Sequence, residues 1–135
     1  MRVVIDTNVL ISAVLFPFSK PRKAFDISLE KGKILISNET FSELKRILLK
    51  EKFDKYADRD LRKAFLSEFL SISQKIKIER KVKASRDKKD DQFLDVAVNG
   101  KADYLISGDR DLLVLNPFEN VEILNPHDFI EKKSN

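Results

Sequence analysis

Apolar positions along the chain fall into two patterns, and each predicts a different element. Continuous short runs at Val3-Val4-Ile5, Ile34-Leu35-Ile36 and Tyr104-Leu105-Ile106 predict strands buried on both faces. Two further runs carry charges: Ile76-Lys77-Ile78-Glu79 alternates strictly, and Val121 to Leu124 is broken by Glu122. Charges of this kind suit the edges of a sheet. Between the runs lie stretches with helical spacing. Val9 to Leu15 is apolar nearly all round and predicts a buried helix. Pro21 to Lys31 has Pro in a first turn and Gly32 just past its end. Ser37 or Asn38 can cap a helix carrying Phe41, Leu44, Ile47 and Leu48 on one face. After Asp58, the positions Leu61, Phe65, Phe69, Ile72 and Ile76 recur at roughly helical intervals, and these phenylalanines read most simply as core. Asp90 is a plausible cap for a helix from Asp91 to about Asn99, which Gly100 can end. A helical turn around Leu112 and a short helix around Phe129 complete the set.

Strands alternating with helices predict an α/β fold, a three-layer α/β/α arrangement around a five-stranded parallel sheet. Placing the charged strands at the edges gives the order 3-2-1-4-5. Strands 1 and 4 then lie side by side at the point where the chain reverses its winding. In such sheets ligands bind there, at the carboxyl edge.

Composition narrows the chemistry. The 135 residues fit one domain spanning 1–135, and only 3 Gly and 4 Pro argue against a flexible linker. The absence of Cys and the single His127 exclude disulfides, thiolate metal sites and a His-rich zinc site. Any metal must bind through oxygen, which favours Mg²⁺ or Mn²⁺. An apolar strand opens the chain where a signal peptide would have a basic segment, and no run is long enough for a membrane span, so a cytoplasmic location is expected. Charged residues make up 36% of the chain, 26 basic against 22 acidic, so the net charge of +4 says little and its distribution says more. Arg80, Lys81, Lys83, Arg86, Lys88 and Lys89 form one basic group, and Lys20, Arg22 and Lys23 form another. Each is either a solvated surface or a nucleic-acid contact.

Four acids converge on the carboxyl edge. Asp6 follows strand 1, Asp109 lies three residues after strand 4, Glu43 is early in the helix after strand 2, and Asp91 begins the helix before strand 4. Carboxylates gathered this way repel one another, and a divalent cation removes the conflict. Such an ion can acidify a water and stabilise charge on a phosphodiester. Each acid also has a purely structural reading: Asp6 and Asp91 as helix caps, Glu43 as a solvated helix residue, Asp109 and Asp111 as turn residues. Asp95, four residues after Asp91, either extends the site or is exposed. Phosphotransfer on an aspartate also places an Asp after strand 1. It usually needs a second acid one or two positions on, where this chain has Thr7 and Asn8.

The order Asp6-Thr7-Asn8, Glu43, Asp90-Asp91-Gln92-Phe93-Leu94 and Ser107-Gly108-Asp109, with eighteen residues from Asp91 to Asp109, resembles the PIN domains, and among them the VapC-like toxins of toxin–antitoxin systems. The resemblance covers nearly the whole chain. It implies a Mg²⁺- or Mn²⁺-dependent endoribonuclease, often a homodimer and often inhibited by an antitoxin protein. It implies that Asp6, Glu43, Asp91 and Asp109 hold the metal, with Asn8 and Ser107 supporting them. Gly108 stands where many such toxins carry Arg, a departure that bears on substrate more than on chemistry. RNA is then the expected substrate, with Lys83, Arg86, Lys88 and Lys89 guiding its backbone. The alternatives are a housekeeping nuclease of RNA processing and a non-catalytic RNA- or partner-binding module. Val9 to Leu15 with Phe16 and Phe18 is either a dimer or antitoxin surface or ordinary core.

Overall fold

The structure, a computed structural model, describes residues 1–134. Five parallel strands form a sheet in the order β3-β2-β1-β4-β5, as the charge pattern predicts. They are β1 (Arg2–Ile5), β2 (Lys33–Ile36), β3 (Gln74–Lys75), β4 (Tyr104–Ile106) and β5 (Glu122–Leu124). The helices are α1 (Thr7–Leu15), α2 (Lys20–Lys31), α3 (Asn38–Leu48), α4 (Arg59–Ile72), α5 (Asp91–Asn99), α6 (Arg110–Leu113) and α7 (Pro126–Lys133).

The alternation of side chains along each strand splits the core into two layers. Val3, Ile5, Ile34, Ile36, Tyr104 and Ile106 pack with residues of α1, α2, α3, α4 and α7 on one face. Val4, Leu35, Leu105 and Ile123 pack with α5 and with Leu112 of α6 on the other. Helices thus cover both faces, which is why the buried stretches Val3–Ile5, Ile34–Ile36 and Tyr104–Ile106 of the three inner strands carry no charge. Helix α1 buries Val9, Leu10, Ile11, Ala13, Val14 and Leu15, so it belongs to the core, whereas Phe16 and Phe18 beyond it are exposed.

Strand β3 differs from the expected Ile76–Glu79. Helix α4 stops at Ile72, and Gln74 and Lys75 pair with Leu35 and Ile36. The Ile76 N–H still donates to the Ile36 carbonyl at 2.7 Å, and Ile76 and Ile78 then turn onto the α5 layer. The alternation that marked a strand is here an extended segment crossing the end of the sheet. Gly32 ends α2 because a side chain there would meet the Met1 carbonyl oxygen at 2.6 Å, where the chain turns into β2.

Candidate active site

The carboxyl edge of β1 and β4 gathers the acids. Asp6 leaves β1 with extended backbone and caps α1, its Oδ1 accepting from the Val9 N–H at 2.9 Å. Its Oδ2 accepts a short hydrogen bond from the Ser107 hydroxyl at the end of β4. That hydroxyl in turn accepts from the Asp109 N–H at 3.0 Å, so one serine ties together the two acids that follow the central strands. Asp109 Oδ1 accepts from the Asp111 N–H at 2.8 Å, which closes the turn into α6.

The structure brings a further acid into this group. The carboxylates of Asp90, Asp109 and Asp111 lie within 4.8 Å of one another. Asp90 was expected only as a helix cap. Its backbone is helical and its side chain caps nothing, because a 3-10 turn at Lys88–Asp90 precedes α5 and carries the chain smoothly into it. Its carboxylate is therefore free to face the other acids. Glu43 reaches the group from α3, where its Oε2 accepts from the Thr7 hydroxyl at 2.5 Å. The sequence pattern includes Thr7 in the Asp6-Thr7-Asn8 run but assigns it no role at the site. The signal was its place between Asp6 and Asn8, directly after a buried strand.

Electrostatics register the crowding. Burial pushes the Asp6 carboxyl up to about 6, against the lowering influence of the Ser107 and Val9 hydrogen bonds, and the charges of Asp109 and Glu43 add to the rise. Burial likewise raises Asp90 above the usual carboxylate range, reinforced by the neighbouring Asp109 carboxylate and by the charges of Asp87 and Asp6.

Asp91 and Asp95 do different work. Asp91 Oδ1 accepts from the N–H groups of Ala84 (3.2 Å) and Ser85 (2.8 Å). The buried Asp95 accepts from the Val82 N–H at 2.7 Å. Together they brace the chain from 82 to 85 against α5. The like charges four residues apart are thus each matched to backbone donors. The braced segment continues into Arg86, Lys88 and Lys89, which like Lys83 are exposed, and it ends at Asp90. Asn8 is exposed in a cleft that Asp6 and Asp109 also line.

The donor set suits a hard cation. Every candidate ligand is a carboxylate oxygen, and one of them, Asp90 Oδ2, is sealed from solvent without a hydrogen-bond donor. Such an oxygen is costly unless something positive meets it. Divalent ions that prefer oxygen meet that need.

Comparison with known proteins gives three results. A family model described as PIN domain matches residues 2–111. An uncharacterized protein of Methanocaldococcus jannaschii (MJ1680) is 34% identical over 145 aligned positions, covering 98% of this chain and 91% of that protein. Among solved structures, VapBC2 from Rickettsia felis, crystallised with a DNA fragment from its promoter, matches with a TM-score of 0.62 at 16% identity, covering 93% of this chain and 98% of that one. PAE2754 from Pyrobaculum aerophilum matches with a TM-score of 0.60 at 18% identity over 100% of this chain and 91% of that one.

Proposed function

The chain belongs to the PIN-domain family, and from that premise we propose that it is a metal-dependent endoribonuclease, one domain acting as the toxin of a toxin–antitoxin pair. The observation that carries the reading is the cluster of Asp90, Asp109 and Asp111 with the buried, donor-less Asp90 oxygen, set beside Asp6 at the switch point of the sheet.

Asp90, Asp109 and Asp111 would hold Mg²⁺ or Mn²⁺, with Asp6 beside them and Glu43 at the periphery. An ion there supplies positive charge toward a phosphodiester and lowers the pKa of water. The remaining contributions belong to the chain. Ser107 ties the Asp6 carboxylate to the Asp109 backbone, and Thr7 holds Glu43 toward them. Asp91 and Asp95 brace the segment whose Lys83, Arg86, Lys88 and Lys89 would meet the RNA backbone. Asn8, exposed beside the acids, is placed to contact the substrate.

The toxin role and an antitoxin partner extend the likeness to VapBC2, a homodimeric state extends the family resemblance of the sequence, and all three belong to the same proposal. So does a cytoplasmic location; among the described residues no helix is long and apolar enough to cross a membrane.

The test is cleavage of single-stranded RNA with Mn²⁺ or Mg²⁺. The expected outcome is divalent-dependent cleavage that Asp6→Asn abolishes. Cleavage that survives chelation, or that persists undiminished in Asp6→Asn, refutes the proposal.

A further inference from the structure

The acid cluster leaves the loop between α1 and α2 unexplained. Phe18 in that loop is fully exposed, at 101% of its reference area, while the neighbouring Phe16 ring packs edge-on against Tyr56 at 5.5 Å between centroids. Among the described residues Phe18 joins no ring pair. It lines a shallow hollow of about 420 Å³ with Lys20, Arg22 and Lys23. Arg22 is paired with Asp26 at 3.1 Å, so among the described residues Lys20 and Lys23 are the hollow's cations without a carboxylate partner.

A second concavity shares no lining residue with it but is lined by Pro21, between Lys20 and Arg22 of the first. A cleft of about 410 Å³ runs from Asp6 and Asp109 across Asn8, Ser12 and Gly108 to Pro21. That size lies within the roughly 300–1,000 Å³ of small-ligand sites. Lys20 links the two spaces. It lines the hollow and precedes Pro21. Its Nζ lies 2.8 Å from His127 Nδ1, and the adjacent Pro126 also lines the cleft.

We infer that this face is a track for single-stranded RNA. The nucleotide beside the scissile phosphate occupies the Gly108 cleft, the next phosphate falls between Lys20 and Lys23, and the following base stacks on Phe18. The direction of the track rests on the nuclease reading; the binding surface does not. An exposed ring flanked by cations is the arrangement that holds unpaired bases without regard to sequence, because every base presents a π face. Charge also separates this reading from protein docking. A stable protein interface covers roughly 800 Å² on each partner around an apolar centre, whereas here one ring stands among charged side chains.

The chain contains no Trp, so Phe18→Trp introduces a single reporter. Titration with a short single-stranded RNA in EDTA, where divalent-dependent cleavage is blocked, should quench its emission saturably. A matching duplex should quench far less. Phe18→Ala should weaken binding of the same strand by about 5- to 100-fold. Lys20→Ala with Lys23→Ala should reduce the salt dependence of binding by about one phosphate contact. Gly108 has no left-handed backbone, and an added Cβ meets nothing within 4 Å, so Gly108→Leu should fold normally and weaken strand binding by partly filling the cleft.

Quenching that is absent, or equal for duplex and single strand, overturns the inference. So does Phe18→Ala binding within twofold of the parent, or a changed oligomeric state in sedimentation with RNA affinity intact. Asp6-dependent cleavage without Phe18→Trp quenching defeats the track alone. Quenching in a chain that cleaves no RNA defeats the nuclease reading alone.

Discussion

At the scale of single residues, the doublet Asp90-Asp91 divides two tasks that spacing along the sequence assigns to one position. Both acids open α5, and a helix turns about 100° per residue. One carboxylate therefore faces the strand ends while its neighbour faces the braced segment 82–85. Asp90→Asn should lower cleavage beyond the roughly 10–100-fold that losses outside a metal's immediate ligands produce. Asp91→Asn keeps an acceptor for the Ala84 and Ser85 N–H groups and should cleave at close to the parental rate. Asp91→Ala leaves two donors unmatched and should cost about 1–3 kcal/mol of stability, with RNA binding weakened through the loosened basic segment. Paired cleavage and denaturation assays separate the outcomes; an Asp91→Asn variant as inactive as Asp90→Asn would show that the division is wrong. The sequence placed Asp6 and Asp109 at the edge because Asp6 directly follows one buried strand and Asp109 lies three residues after another. Within the doublet it assigned the metal to Asp91; that the Asp90 carboxylate is the one near Asp109 and Asp111 depends on the 3-10 turn at Lys88–Asp90, which no local pattern announces.

At the scale of elements, the hydrophobic pattern located the sheet and its order well because burial on one or both faces leaves a direct mark. It misplaced β3 because Ile76 and Ile78 are half-buried against the α5 layer, which produces the same alternation as a half-buried strand. It also missed what orders the connection between α3 and α4. Arg62 is fully buried in α4, and its guanidinium donates to the carbonyls of Leu48 (2.8 Å), Lys50 (3.2 Å) and Ala57 (3.1 Å) and pairs with Asp54. In the sequence it is one more charge on an amphipathic helix. The planar fork of donors is what collects backbone acceptors from three directions, and an ammonium group cannot reproduce it. Arg62→Ala should destabilise the protein by about 1–3 kcal/mol or more, because the carbonyls of Leu48, Lys50 and Ala57 lose their donor while the half-exposed Asp54 returns to solvent. Arg62→Lys should recover only part of that loss. Urea unfolding of the two variants tests the claim, and a Lys variant of parental stability would count against it.

At the scale of the whole molecule, the acid cluster places folding and cation binding in opposition until an ion is present. The folded-state pKa of Asp6 is raised from 3.8 to about 6, so the folded protein holds a proton there that the unfolded chain has released. Stability from this group is therefore fully present below about pH 4 and is lost as pH rises toward 6 and beyond. Asp90 shifts in the same direction. Without divalent ions, the cluster should make the protein less stable at pH 8 than at pH 5. Asp6→Asn should remove much of that slope and raise stability at pH 8. Binding of Mn²⁺ requires the ionised acids, so its stabilisation should follow the opposite course, small at pH 5 and reaching about 2.7 kcal/mol at pH 8 when the ion is at a hundred times its dissociation constant. Thermal melts at the two pH values, with EDTA or Mn²⁺, measure both slopes at once. If Mn²⁺ raises the melting temperature equally at both pH values, or equally in Asp90→Asn, the ion is binding elsewhere and the cluster is not the cation site.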